Sequence, residues 1–152
     1  MSMQDYETAK QMMSDAETDF DGSKAEYLIE KAEQVLHLKF PPTYRRFLSE
    51  FGCGGVEGFE LYGIIGENFE NSGIPDAIWY TLQLRKSIHL DLRLVVIAVA
   101  GDGCFYAIDT SDNDCEGEGS VSIYSIDGST REKVASSFGA FLLKQVQNLA
   151  RK

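Results

Sequence analysis

Two long stretches of this sequence lack lysine and arginine altogether. Residues 47–84 contain six acidic residues, residues 94–130 contain seven, and neither stretch contains a base. The formal net charge of −10 comes from these stretches, because the rest of the chain carries 11 acids and 14 bases. If both stretches lie on one face of the folded chain, that face is anionic and suits a basic partner.

The charge balance and the lack of long apolar runs argue against several classes of partner. A pI near 4.6 without a basic patch disfavours nucleic acid and anionic membranes, since like charges repel. The longest apolar run, residues 94–100, has the length of a strand and is far shorter than a membrane span. The first six residues are polar and acidic, which does not predict a signal peptide.

Cysteine and histidine are both scarce. The three cysteines, Cys53, Cys104 and Cys115, show no CxxC spacing. They therefore predict neither a disulfide scaffold nor a zinc site, and they favour the reducing cytoplasm. The two histidines, His37 and His89, lie near the ends of predicted helices, where a structural or surface role is usual.

Motifs of known catalytic sites are missing as well. The sequence has no GxSxG elbow, phosphate-binding loop or HExxH pair. Gly101-Asp102-Gly103 lacks the third glycine of a dinucleotide fingerprint and predicts a turn. The acids of residues 109–118 form a polar run broken by glycine, which does not predict the burial that a catalytic carboxylate needs. We predict that the protein is not an enzyme and uses no cofactor.

Residues 112–117 match the first half of a calcium-binding loop. Asp112, Asp114 and Glu116 occupy alternate positions, and Gly117 follows them. The position that requires a bidentate glutamate is Ile123, and the flanking residues resemble strands instead of helices. We therefore predict no dedicated metal site.

The first third of the chain has helical periodicity. Apolar spacing predicts a helix over residues 6–16, and Ser23 with Glu26 has the spacing of a capping box at the start of a second helix. Pro41-Pro42 ends this helix and starts a third, which glycines from Gly52 onward terminate.

The remainder of the chain predicts a sheet between two helices. Residues 56–65 predict a strand or hairpin, and a helix follows over residues 75–88. Strands are expected over residues 92–100, 104–110 and 120–126, with a tight turn at 100–103 joining the first two. A last helix is expected from about Ser137 to Arg151. This order predicts a single α+β domain over residues 1–152, in which an antiparallel sheet packs with N-terminal helices, a middle helix and a C-terminal helix.

Two segments of the chain match a known signature in order and spacing. The first comprises Ile29, Glu33 and Leu36, the run from Leu38 through Pro41, Pro42, Tyr44, Phe47 and Leu48, and the glycines Gly52, Gly54 and Gly55. The second is the run from Ala135 through Ser137, Phe138 and Phe141 to Leu142. Together they resemble the SUKH superfamily, which is named partly for a yeast cell-wall assembly regulator. Phe40 stands where a leucine is usual in that family.

The resemblance implies a function without catalysis. Bacterial members are largely immunity proteins that bind and neutralise toxin domains, often nucleases, by protein–protein contact. On that basis we expect a cytoplasmic immunity protein whose acidic surface binds a cognate basic toxin. The alternative is a regulatory protein-interaction module in cell-wall or envelope synthesis, which is what the eukaryotic relatives resemble.

Carboxylates in the two base-free stretches are the expected contacts with such a partner, and two aromatic residues are the expected apolar anchors. A nuclease must attract phosphates, so matching carboxylates on an inhibitor would speed association and compete with nucleic acid. Aromatic side chains often anchor the centre of an interface. The predicted contact residues are Glu57, Glu60, Tyr62, Trp79, Asp102, Asp109, Asp112, Asp114, Glu116 and Glu118.

Overall fold

The structure is a computed structural model that describes residues 1–128 and 131–150. Its helices and strands alternate irregularly along the chain, with a short 3₁₀ turn at Phe69–Asn71. The helices are α1 (Ser2–Met13), α2 (Glu26–Leu36), α3 (Pro42–Phe51), α4 (Ala77–Ser87) and α5 (Phe138–Ala150). The strands are β1 (Thr18–Phe20), β2 (Gly54–Val56), β3 (Phe59–Leu61), β4 (Leu94–Gly101), β5 (Cys104–Asn113), β6 (Gly119–Ser125) and β7 (Arg131–Ala135).

The strands form two antiparallel sheets. The small sheet has the order β1-β2-β3 and the large sheet the order β4-β5-β6-β7. Asp102 and Gly103 join β4 to β5 with φ angles of 53° and 74°, which is the two-residue hairpin geometry that the sequence predicts. Helices lie before, between and after the strands, so the predicted α+β class with an antiparallel sheet is confirmed.

The predicted helices are present, with differences at the first two. α1 spans Ser2–Met13 instead of residues 6–16, and the N-cap of α2 differs from the prediction. Pro42 opens α3 and Pro41 is its N-cap, as expected. The capping box at Ser23 is wrong, because α2 begins at Glu26 with Ala25 as its N-cap. Residues 21–24 instead run along the end of α3, where the Lys24 N–H donates to the Ser49 carbonyl at 3.1 Å. The predicted last helix is confirmed as α5, and its expected final residue, Arg151, lies outside the described residues.

Two strands are not predicted by the sequence patterns. β1 lies between the first two predicted helices, where no strand is predicted, and it exists because it pairs with β2 in the register Thr18↔Val56. β7 is an edge strand of the large sheet, and it begins with three charged residues, Arg131 to Lys133. Charged residues on an edge strand protect it from pairing with other chains, and they also hide the hydrophobic alternation that marks a strand.

The signature residues build the core. Tyr44, Phe47, Leu48, Phe138 and Phe141 are all completely buried. α5 packs Phe138 against Tyr44 and Phe47 of α3, and the Tyr44 and Phe138 ring centroids are 5.0 Å apart. The motif that identifies the family therefore specifies packing and not a contact surface.

The large sheet has helices on both faces. On one face Val95, Ile97, Ile108 and Val121 join the main core with α5. On the other face Leu84 of α4 and residues near it pack on the sheet in a second, smaller cluster. Among residues 1–128 and 131–150, no helix is both long enough and apolar enough to cross a lipid bilayer.

Candidate partner-binding surface

The predicted contact residues do not come together on one surface. Asp102 lies in the turn between β4 and β5, whereas Asp112 lies near the far end of the ten-residue strand β5. At about 3.3 Å per residue, these two carboxylates are separated by roughly 30 Å. Both acids belong to the second base-free stretch, so the acids of that stretch do not form a single cluster.

Bases from β7 neutralise part of the second stretch. The Arg131 guanidinium lies 3.7 Å from the Asp109 carboxylate, and the Lys133 ammonium lies 3.9 Å from that of Asp112. The Ser120 hydroxyl also donates to Asp112 at 2.6 Å. Because β7 is the neighbour of β6, tertiary structure places bases beside acids that are far from any base in sequence.

Hydrogen bonds to the Asp114 carboxylate stabilise the turn between β5 and β6. One oxygen of its carboxylate accepts the backbone N–H groups of Glu116 and Glu118 at 2.8 and 3.0 Å. The Glu116 carboxylate in turn accepts the backbone N–H of Ser2 at 3.3 Å. In the part of the chain that the structure describes, no group of three or more acidic, cysteine or histidine residues is arranged to hold a metal ion.

Glu118 and Tyr62 are buried, so the prediction that they are surface contacts is wrong. Glu118 is 2% exposed, and its carboxylate accepts the Thr43 N–H at 3.0 Å and the Thr43 hydroxyl at 2.8 Å. Burial raises the pKa of Glu118, and the hydrogen bonds from Thr43 oppose that rise. Tyr62 is 4% exposed, and its ring packs edge-on against Tyr80.

Trp79 is half-buried in the first turn of α4. Its backbone N–H donates to the Asp76 carboxylate at 2.9 Å, which is the N-cap bond of that helix. Its ring centroid is 6.4 Å from that of Tyr80. Because its side chain is not fully buried, Trp79 remains among the predicted apolar anchors.

Acids of the small sheet lie together on its outer face. In the register, Gly55 of β2 lies between Asp19 of β1 and Glu60 of β3. Residues that pair across strands point to the same face, and Gly55 has no side chain to separate the two carboxylates. Asp19 and Glu60 are both exposed, whereas Val56 and Leu61 point into the core from the other face.

The segment that leads into β1 adds two more acids beside the β2–β3 turn. The Glu57 carboxylate accepts the backbone N–H of Glu17 at 3.2 Å, and the Glu57 N–H donates to the Glu17 carbonyl at 2.8 Å. Asp15 is exposed two residues earlier. We call Asp15, Glu17, Asp19, Glu57 and Glu60 the small-sheet acids.

None of the small-sheet acids has an ion-pair partner within residues 1–128 and 131–150. Lys24, the base nearest to Asp19 in sequence, pairs with Asp21. Glu57 and Glu60 were predicted contacts, whereas the other three were missed because they lie outside both base-free stretches. Recognising β1 as a strand would have placed them beside Glu57 and Glu60.

Comparison with known proteins places a family model over nearly the whole chain. The model described as SMI1-KNR4 cell-wall, of the SUKH group, matches residues 4–147. The matched region includes the small sheet, the large sheet and all five helices, apart from the first residues of α1 and the last residues of α5. A search of curated proteins found no significant match.

Proposed function

Because this chain belongs to the SUKH family of SMI1-KNR4 cell-wall proteins, we propose that it is an immunity protein that binds and neutralises one cognate toxin. The SUKH family is broadly known as immunity proteins, which act by binding another protein. The match over residues 4–147 is the observation that carries the proposal. The toxin in this proposal is a nuclease domain with a basic active face, and the protein acts on it in the cytoplasm without catalysis.

The small-sheet acids support an electrostatic mode of binding. Among the described residues, no ion pair neutralises these carboxylates. Their full negative potential would therefore attract a basic partner. The acids Asp109 and Asp112 are less suited, because Arg131 and Lys133 already lie beside them. We therefore place the centre of the toxin-binding surface on the small sheet, with Asp19, Glu57 and Glu60 at its middle.

A regulatory role in cell-wall or envelope synthesis is the second candidate. The description of the matching family favours it, because that description refers to the cell wall. The same unpaired acids would serve a basic partner of either kind. The two roles differ in gene neighbourhood, since an adjacent toxin gene favours immunity and an envelope-synthesis operon favours regulation.

Co-expression with the product of the neighbouring gene tests the immunity role. We expect the chain to restore growth to cells that express the neighbouring toxin and to co-purify with that toxin as a stable complex. A toxin whose active site has been inactivated by mutation serves as the control, because it should be harmless and still bind. Continued growth arrest together with the absence of any complex would contradict the proposal.

A further inference from the structure

A groove lies beside the small-sheet acids, between the C-terminal turn of α1, the C-terminal half of α5 and the β2–β3 turn. Its volume is about 520 Å³. Val56 and Val146, both almost fully buried, form its floor, and the half-buried side chains of Met12 and Leu149 line it further. These four side chains give the groove an apolar floor.

The rim of the groove is acidic. Asp15 and Glu57 are the charged residues that line it, and no base lines it among the described residues. One oxygen of Glu57 accepts the Glu17 N–H, which holds that carboxylate beside the groove. Asp15 follows the end of α1 by two residues, so its charge adds to the negative end of that helix dipole.

This arrangement is electrostatically unfavourable without a cation. A negative charge at a helix C-terminus destabilises the helix, whereas a positive charge there stabilises it by roughly 0.3–1 kcal/mol at exposed sites. Lys10, the base in the last turn of α1, is bound to Glu50 at 2.7 Å. Within residues 1–128 and 131–150, no base therefore lies at the acidic rim, which leaves it to a cation from elsewhere.

We propose that the groove receives one arginine or lysine side chain from the partner protein, whose aliphatic stem lies on Val56 and Val146 while its charge meets Asp15 and Glu57. Such side chains bury their methylene groups along apolar surface and keep the charged head at a polar rim. An apolar side chain would leave the rim charges unpaired, and an acidic one would be repelled. This inference rests on the proposed function for the identity of the partner, whereas the chemistry of the groove stands on the geometry alone.

A peptide titration tests the groove without the toxin. The probes are the blocked tripeptides acetyl-Gly-Arg-Gly-amide and acetyl-Gly-Gln-Gly-amide, added to the ¹⁵N-labelled full chain. We expect the arginine peptide to shift the amide signals of Ala16, Glu17 and Glu57 in a saturable way at millimolar concentration, and the glutamine peptide to leave them in place. Equal shifts with both peptides, or none with either, would overturn the proposal.

Isosteric variants test whether the carboxylates of Asp15 and Glu57 bind the arginine peptide. The double variant Asp15→Asn, Glu57→Gln keeps the shape and the acceptor for the Glu17 N–H but removes both rim charges, so it should abolish the arginine-specific shifts. Glu30→Gln and Glu132→Gln remove two exposed charges away from the groove and should leave the shifts unchanged. Retention of the shifts in the Asp15, Glu57 variant would exclude these carboxylates as the binding groups.

A second test measures how fast variants of this chain associate with the toxin encoded by the neighbouring gene. The variant Asp15→Lys, Glu57→Lys should slow association by about tenfold or more, whereas the matched variant Glu30→Lys, Glu132→Lys should stay within about twofold of the wild type. If both variants associate like the wild type, the groove is not the site although the immunity role stands. If no toxin binds at all, the immunity role fails. The peptide titration alone then decides whether the groove binds a cationic side chain.

Discussion

Replacing Phe138 with alanine is expected to lower the free energy of unfolding by about 3–5 kcal/mol. The ring is completely buried, and its centroid lies 5.0 Å from that of Tyr44 and 5.3 Å from that of Phe47. Removing it leaves a cavity at the junction of α3 and α5, which the surrounding aromatic rings cannot fill without moving both helices. Urea denaturation followed by circular dichroism measures the change.

The matched control for the buried Phe138 is a large apolar residue that lies on the surface. Ile126 is 42% exposed after β6, so Ile126→Ala should change the free energy of unfolding by no more than about 0.5 kcal/mol. A loss below about 1 kcal/mol for Phe138→Ala would contradict the packing described for the C-terminal signature.

Replacing Glu118 with alanine is expected to lower the free energy of unfolding by about 2–3 kcal/mol. The Glu118 carboxylate joins the start of β6 to the first turn of α3, because it accepts both the N–H and the hydroxyl of Thr43. The Thr43 hydroxyl in turn accepts the Gly139 N–H of α5 at 2.9 Å. The variant would leave the buried N–H of Thr43 without a partner and loosen the contact between three elements.

Glu116 is the control for Glu118, since it lies two residues away and is less buried. Its carboxylate accepts one hydrogen bond from the described residues, that of the Ser2 N–H, which is longer at 3.3 Å. Glu116→Ala should therefore lower the free energy of unfolding by less than about 1 kcal/mol. Thermal unfolding of both variants beside the wild type makes the comparison. Equal stability of the two variants would contradict a structural role for Glu118.

The pH dependence of Glu118 provides a separate readout of its burial. Because burial raises the pKa of Glu118, the folded chain binds more protons than the unfolded chain between the ordinary and the raised pKa. The stability that this carboxyl contributes is thus present at low pH and is lost as the pH rises through the folded-state pKa. Glu118→Gln, which cannot titrate, should remove that decrease at pH values above the ordinary glutamate pKa. Parallel pH profiles of the variant and the wild type would refute the assignment.

The fold was largely predictable because local signals and long-range packing agree in its central segments. Pro41 and Pro42 fix the boundary between α2 and α3, and the spacing of Phe138, Phe141 and Leu142 places one face of α5 in the core. β1 and β7 were not predictable in this way. Each owes its strand conformation to a neighbour that is distant in sequence, and neither has apolar alternation of its own.

The binding surface was less predictable than the fold, because charge counts along the chain do not show which acids are paired. Asp112 lies in a base-free stretch, but Lys133 of β7 lies beside its carboxylate. Glu118 is buried, and its carboxylate accepts a hydrogen bond from Thr43. Asp19, which lies outside both stretches, reaches the same face as Glu60 through strand pairing. The base-free stretch 47–84 nonetheless includes Glu57 and Glu60, the two predicted carboxylates that remain at the centre of the proposed surface.

The most direct test of the immunity role is inhibition of the purified toxin encoded by the neighbouring gene. Its activity on nucleic acid would be measured while this chain is added in increasing amounts. We predict that activity falls in proportion to the added protein and disappears at equimolar concentration, as tight binding without catalysis requires. Full toxin activity in the presence of a large excess of the folded chain would contradict the account.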